Sequence, residues 1–121
     1  MATARQRMAT GGYGEASAAR HLTDQGMVVL DRNWRCAVGE LDLVLRDGAV
    51  LVFCEVKTRS SIAYGAPLEA VTASKVARMR RLAARWMTEH GVYADEVRID
   101  LVGVRLDVTG PGRFDHARGV G

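Results

Sequence analysis

The sequence predicts one α/β domain in which helices cover both faces of a mixed central β-sheet. Its segments alternate in the order helix, three strands, helix, strand, and apolar residues recur with the period that suits each segment. The 121 residues, 48% apolar and 26% charged, are typical of a globular chain with a single hydrophobic core. We expect a flexible arm over residues 1–11, the domain over 12–106 and a loose tail over 107–121.

Start and stop signals place the individual elements. Gly26 and Gly91 are suited to end the two helices, and Thr72 or Ser74 can cap the start of the second. The expected elements are a helix over 13–25 with Ala16, Ala19 and Leu22 on its apolar stripe, a strand over 27–35, a hairpin over 40–58, a polar loop over 60–66 followed by a turn at Pro67, a helix reaching residue 90, and a strand over 96–106.

The hairpin carries an unusual group of charged side chains. Asp47-Gly48 is a strong two-residue turn signal, and a turn there pairs residues whose numbers sum to 95. Glu40 then lies opposite Glu55, and Asp42 lies one diagonal step from Glu55. Strand alternation puts these three acids on one face with Lys57, and it gives the other face an apolar pattern.

Three carboxylates at this spacing repel one another unless a cation joins them. Oxygen ligands of this kind suit Mg2+ or Mn2+, so the pattern favours a metal site. The alternative is a solvated face whose acids pair with Lys57, Arg46 or Arg59, since structural ion pairs are common. The apolar residues Val44, Leu51 and Phe53 on the same face argue against free exposure and so weaken that alternative.

The second helix is strongly basic. Between Lys57 and Arg85 the chain has seven basic residues and a single acid, Glu69. The apolar stripe of the helix (Val76, Met79, Leu82, Ala83, Trp86 and Met87) lies opposite Arg78, Arg81 and Arg85, with Lys75 at the border. A merely solvated face usually mixes the two signs of charge. A row of uncompensated arginines therefore indicates contact with a nucleic-acid backbone.

Other functional classes are not indicated. The longest apolar run, Ala49 to Cys54, has six residues, far short of a membrane span, and the N-terminus has no secretory pattern, so we expect a cytoplasmic protein. Cys36 and Cys54 form no CxxC pair and the histidines are scattered, which argues against a zinc site. No serine or cysteine nucleophile motif is present.

Two short motifs resemble those of known nucleases. An acid in ELD, followed one strand later by EVK, resembles the PD-(D/E)xK nucleases, whose core has the restriction-endonuclease-like fold. The chain from about residue 11 to 104 resembles the YraN-like family more closely, and that family is similar to archaeal Holliday-junction resolvases. The matching stretches are GYGEASAARHLTDQG, LDRNWRCAVGELDLVL, LVFCEVKTR and VTASKVARMRRLA. Leu41 replaces the proline of the nuclease consensus, a position that ligates nothing.

The resemblance implies roles for individual residues. Asp42, Glu55 and Lys57 match the catalytic positions. The implied ligands of Mg2+ or Mn2+ are Asp42, Glu55, the carbonyl of Val56, Glu15 on the first helix and, with less support, Glu40. The residues expected to hold nucleic-acid phosphates are Arg59, Lys75, Arg78, Arg81 and Arg85.

The sequence therefore predicts a metal-dependent endonuclease that hydrolyses phosphodiester bonds. DNA is favoured over RNA as its substrate, and branched or structured DNA is a candidate. Two alternatives remain open. One is an adaptor of the same fold that binds nucleic acid without turnover, and the other is a structural subunit whose acids form only an ion-pair network. The sequence also leaves open whether two copies pair as a homodimer.

Overall fold

The computed structural model describes residues 4–59 and 72–120, and the polar loop over 60–66 and the Pro67 turn lie outside these ranges. The elements are α1 (Ala4–Asp24), β1 (Val28–Cys36), β2 (Gly39–Asp47), β3 (Val50–Arg59), α2 (Ala73–His90), β4 (Glu96–Arg105), a 3-10 turn (Pro111–Arg113) and β5 (Phe114–Ala117). The strands form one sheet in the order β1-β2-β3-β4-β5, in which β3 and β4 are parallel and the other neighbours antiparallel. The predicted α/β fold is confirmed, and this arrangement is compatible with a restriction-endonuclease-like core.

Each helix buries one face of the sheet. The predicted stripe of α2 is confirmed, because Val76, Met79, Leu82, Ala83 and Trp86 are buried. α2 packs over Val44, Phe53 and Ile99, whereas α1 packs over the opposite face through Ala18, Ala19 and Leu22. Ala16 was assigned to the stripe of α1 by its spacing but is exposed, and Ala18 lies in the core instead.

Helix bounds follow their signals with one exception. Thr72 is the N-cap of α2 and accepts a hydrogen bond from the Lys75 N–H at 3.2 Å, while Gly91 ends the helix in the left-handed conformation. α1 begins at Ala4, not at Tyr13, so residues 4–11 are helical where the composition predicts an arm. Among the described residues, no helix has the length and apolar character needed to cross a membrane.

The predicted register of the β2–β3 hairpin is wrong by two residues. Asp47 pairs with Val50 and Leu43 with Cys54, so paired numbers sum to 97. The two-residue turn is Gly48-Ala49, in which Gly48 has a φ of 62°. Glycine at the first central position suits a type II′ turn, which places the turn one residue later than an Asp-Gly turn. Because the shift is an even number of residues, it leaves the alternation of faces along the hairpin unchanged.

The C-terminal segment is more ordered than its turn-rich sequence predicts. Residues 114–117 form strand β5 against β4, so the expectation of a loose tail is wrong there. The carboxylate of Asp100, fully buried on β4, holds this segment. It accepts from His116 Nε2 at 2.8 Å and from the Gly119 N–H at 3.0 Å. Arg98 adds a two-point contact at 2.8 and 3.0 Å. Asp100 is a charged residue in a core strand, and each of its carboxylate oxygens therefore has a hydrogen-bond partner.

We predict that Asp100→Asn lowers the free energy of unfolding by about 2 kcal/mol, because charge-assisted hydrogen bonds to a buried carboxylate are replaced by weaker ones. Urea denaturation at pH 7 measures the change. Asp95→Asn is the matched control, since Asp95 is exposed in the segment before β4 and its substitution should have little effect.

The same network sets a pH dependence. Burial raises the pKa of Asp100, but the hydrogen bonds from His116, Arg98 and the Gly119 N–H outweigh burial and hold that pKa below its ordinary value. A carboxyl of this kind stabilises the fold fully above its unfolded pKa of about 3.9, and the contribution is lost as the pH falls through the folded pKa. The difference between wild type and Asp100→Asn should therefore shrink below about pH 4. A difference that stays constant from pH 7 to pH 3 contradicts this account.

Candidate metal and nucleic-acid site

One cleft of about 610 Å3 lies between the ends of β2 and β3 and the first turns of α2. Acidic groups are contributed by β2 and β3, and basic groups by β1, β3 and α2. The lining residues are Arg35, Cys36, Gly39, Glu40, Leu41, Asp42, Cys54, Glu55, Lys57, Lys75, Arg78, Met79 and Leu82. The structure therefore brings all three predicted catalytic residues to the same cavity, together with two members of the predicted phosphate-binding set.

The pairing between β1 and β2 is interrupted beside Asp42. The paired residues run from Arg32↔Leu43 to Trp34↔Leu41 and step over Asn33 and Asp42. Asn33 has a φ of 52°, a left-handed conformation that asparagine tolerates better than most residues. Leu41 packs under α2 while Leu43 packs under α1, so Leu41 departs from strict alternation, whereas Asp42 keeps the face that it shares with Val44.

The Asp42 carboxylate is tied to the neighbouring strand. Its Oδ2 accepts a hydrogen bond of 2.8 Å from the Val56 backbone N–H. The regular β2–β3 ladder is recorded only as far as Leu43↔Cys54, so this side chain continues the link between the strands beyond it. The predicted role of the Val56 carbonyl as a ligand stays a prediction, but the Val56 N–H directly orients a candidate ligand.

A close helix–strand contact brings Glu15 to the same acids. Gly14 is buried against β3, where a Cβ would overlap the Thr58 hydroxyl. The next residue, Glu15, lies close enough to Asn33 and Asp42 for both side chains to affect its pKa. Burial and then the negative charge of Asp42 raise the pKa of Glu15, so this carboxyl holds its proton more readily than an exposed one. The structure thus places Glu15 beside Asp42, as the resemblance implies.

Glu55 uses one oxygen for two lysines. Lys75 Nζ lies 3.0 Å and Lys57 Nζ lies 3.6 Å from Glu55 Oε1. The other oxygen, Oε2, is buried and has no hydrogen-bond partner among the described residues. A buried carboxylate oxygen without a donor is costly, so this atom has an unfilled capacity for a ligand.

We call Glu15, Glu40, Asp42 and Glu55 the acid cluster. Burial, followed by the charges of Glu55 and Glu40, raises the pKa of Asp42 despite the hydrogen bond from Val56. Contact with Lys75, followed by partial burial, lowers the pKa of Lys57. Burial is the largest cause at Asp42 and contact with a second ammonium is the largest at Lys57, and each group favours its neutral form more than it does in water.

Not every predicted residue reaches the cleft. Glu40 is at the rim, half exposed, and pairs with Arg35 at 3.2 Å, so it contributes chiefly through its charge. Arg78 lines the cleft, whereas Arg81 and Arg85 are exposed farther along α2. Arg59 ends β3, where its guanidinium donates to the Thr58 carbonyl at 3.2 Å. Sequence reasoning missed the contribution of Asn33, whose left-handed backbone has only a weak sequence signal.

The acids converge without forming a ready-made coordination shell. Within residues 4–59 and 72–120, no three His, Cys, Asp or Glu side chains have the spacing of a metal site. The donor chemistry nevertheless fits Mg2+ or Mn2+. Carboxylates from β2 and β3 line one cleft, burial and neighbouring negative charge raise the pKa of Asp42 and of Glu15, and Glu55 Oε2 has no donor among the described residues.

The family model named "Uncharacterised protein family UPF0102" matches residues 14–104, most of the region over which the motifs predict a YraN-like resemblance. A UPF0102 protein of Nocardioides sp. (strain ATCC BAA-499 / JS614) is 61% identical over 120 residues, covering 99% of this chain and 97% of the relative. A UPF0102 protein of Beutenbergia cavernae is 59% identical over 117 residues, covering 97% and 99%. One of Streptomyces coelicolor is 57% identical over 116 residues, covering 94% and 89%. None of these names states an activity.

We predict that Gly14→Ala lowers the free energy of unfolding by about 1–3 kcal/mol, because the added methyl overpacks the contact between α1 and β3. Chemical denaturation measures the loss. Gly12→Ala is the matched control on the same helix, since its Cβ would meet nothing within 4 Å and should stabilise the helix by about 1 kcal/mol.

Removing the obstructing hydroxyl should restore part of the stability. The double variant Gly14→Ala/Thr58→Ala should be less destabilised than the two single losses added together, as a double-mutant cycle would show. Strict additivity would mean that the close approach at Thr58 is not what Gly14 provides.

Proposed function

We propose that this chain, which belongs to the uncharacterised protein family UPF0102, is a Mg2+- or Mn2+-dependent endonuclease of the PD-(D/E)xK type. Its substrate class is nucleic acid, with DNA favoured over RNA. The observation that carries the proposal is the meeting of Asp42, Glu55 and Lys57 in one cleft whose helical wall is basic. Its acids repel one another, and one carboxylate oxygen, Glu55 Oε2, is buried without a donor in the part of the chain that the structure describes.

The acid cluster has the composition expected of a ligand set. Asp42 and Glu55 would hold the cation, with Glu15 and the Val56 carbonyl as further oxygen donors and Glu40 adding negative charge at the rim. When bound, a divalent cation supplies Lewis-acid chemistry, which neutralises charge on the scissile phosphate and favours ionisation of the attacking water. Neighbouring groups position these ligands. The Val56 N–H holds the Asp42 carboxylate, and the close approach of α1 to β3 at Gly14 positions Glu15.

Lys57 has the position of the group that assists the reacting phosphate. It lies two residues after Glu55 on the same strand, so both side chains point to the same side of β3. Its ammonium is 3.6 Å from Glu55 Oε1 and about one third of the side chain is exposed to the cleft. A cation there stabilises the oxyanion that develops during hydrolysis and orients the attacking water.

The basic wall would bind the phosphates that flank the scissile bond. Arg78 faces the cleft, and Arg81 and Arg85 continue the positive charge along the exposed side of α2. Arg59 extends it at the end of β3. These side chains would contact the phosphate backbone. Such contacts supply affinity and position but no sequence preference.

We predict that Asp42→Asn and Glu55→Gln each reduce cleavage at least about 100-fold, because each removes a charged oxygen ligand from the site. In the presence of chelator, binding should be retained or tightened, since the change removes negative charge and no phosphate-binding cation. Cleavage of branched, single-stranded and duplex DNA and of RNA, with Mn2+, Mg2+ or chelator, measures the first effect, and fluorescence anisotropy measures the second.

Glu89→Gln on the exposed part of α2 is the control for loss of a carboxylate outside the cleft, and it should cleave like wild type. Absence of cleavage on every substrate, together with binding that is indifferent to metal, would reject the endonuclease and favour the adaptor. Calorimetry that detects no divalent-metal binding and anisotropy that detects no nucleic acid would leave only an ion-pair network.

We further predict that replacing Arg78, Arg81 and Arg85 together by Gln flattens the dependence of log K on log salt. Each lost phosphate contact reduces the slope by about 0.9 on duplex DNA. Arg46→Gln is the control, because Arg46 is exposed at the turn end of the β2–β3 hairpin, away from the cleft. An unchanged slope in the triple variant would show that α2 is not the binding face.

A further inference from the structure

The position of Lys75 needs an explanation other than phosphate binding. Sequence reasoning grouped it with the arginines of α2, but the structure places its ammonium 3.0 Å from Glu55 Oε1, the shorter of the two lysine contacts at that oxygen. Four fifths of each of these two side chains is buried. Lys75 is therefore engaged inside the acid cluster and is not presented to solvent as Arg81 and Arg85 are.

The helix itself does not favour a cation at this point. Lys75 lies in the first turn of α2, where the positive end of the helix dipole disfavours a cation, and that turn contains no acid. The second ammonium, Lys57, shares the same carboxylate oxygen and adds repulsion. Glu55 is the group that compensates Lys75, and the pair is a specific interaction across the cleft between α2 and β3.

We propose that Lys75 is the counter-ion of Glu55 in the metal-free protein, and that this ammonium and a divalent cation are alternative partners of the acid cluster. This rests on the proposed function, because it assumes that the cluster binds Mg2+ or Mn2+. A dication held by Glu55 would be close to Lys75, and in a partly buried cleft the repulsion between the two cations would be strong. Lys75 leaves Glu55 when the cation binds and becomes free on the cleft wall beside Arg78.

The exchange accounts for two features at once. It agrees with acids that, among the described residues, lack the spacing of a metal site, since a lysine occupies one oxygen of Glu55. It also gives Lys75 a second partner of the correct sign, the phosphate of the substrate. Lys57 is anchored on β3 next to Glu55, whereas Lys75 comes from the opposite wall and can leave without disturbing the sheet.

Titration of the purified protein with Mn2+ alone, followed by calorimetry, tests the exchange. Lys75→Met should bind Mn2+ about tenfold more tightly than wild type, because the competing cation is gone, and yet cleave more slowly, because a phosphate contact is lost. Arg80→Met is the matched control: it removes a positive charge from the exposed side of the same helix, outside the cleft, and should leave Mn2+ affinity unchanged.

A second measurement uses the unmodified chain and so does not depend on the variant folding. Acetylation of Lys75 by acetic anhydride, followed by peptide mass spectrometry, should become faster when Mn2+ is added, since the released ammonium is more accessible. Weaker Mn2+ binding by Lys75→Met would mean that Lys75 positions Glu55 for the metal, and it would overturn the exchange. Unchanged affinity, or unchanged labelling, would overturn it equally.

The outcomes separate this inference from the function on which it rests. If wild type binds Mn2+ and cleaves, but Lys75→Met binds no more tightly, the exchange fails and the endonuclease stands. If wild type and Lys75→Met both bind no Mn2+, the metal site and the exchange fail together. If Mn2+ binds only after Lys75 is replaced, the exchange is supported in its strongest form.

Discussion

Repulsion between carboxylates in one cleft is the constraint on which the rest of the site depends. The acids come from α1, β2 and β3, and burial together with neighbouring negative charge raises the pKa of Asp42 and of Glu15. A fold that needed only stability would separate these groups or replace one, because buried like charges oppose folding. Here they are held together by a backbone N–H at Asp42 and two lysines at Glu55. Such concentration is characteristic of sites that act on a charged partner.

Backbone conformation and close helix packing determine the surroundings of the acid cluster. The left-handed Asn33 and the missing pair opposite Asp42 accompany a break in alternation at Leu41, which packs under α2 although Leu43 packs under α1. The contact of Gly14 with Thr58 brings α1 closer to the sheet than any larger residue would allow. Both features sacrifice regular pairing or packing for position, and both lie beside the acid cluster. Local departures of this kind concentrate at functional sites.

Periodicity and turn chemistry predicted most of the fold, because both are local. The stripe of α2, its Thr72 cap and the two-faced core follow directly from residue spacing. The hairpin register could not be predicted from local patterns. Asp47-Gly48 and Gly48-Ala49 are both acceptable turns, and a shift of two residues leaves the apolar faces unchanged. Strand β5 was missed for another reason: its stability comes from Asp100, fourteen or more residues earlier in the chain, and no local pattern encodes that contact.

The site was predictable in its residue types but not in its pairings. Asp42, Glu55 and Lys57 follow from motif spacing, whereas the attachment of Lys75 to Glu55 joins a helix to a strand across the cleft and has no sequence signature. That attachment bears on how a polyanion could enter. Without a cation the acid cluster repels phosphate, and Lys75, the nearest helical cation, is already neutralised by Glu55. Under the proposed exchange, a divalent cation would reverse both conditions, because it would compensate the acids and release a lysine of the basic wall. Metal and nucleic acid should therefore bind the cleft cooperatively, and a polyanion bound without metal should lie along the outer arginines of α2.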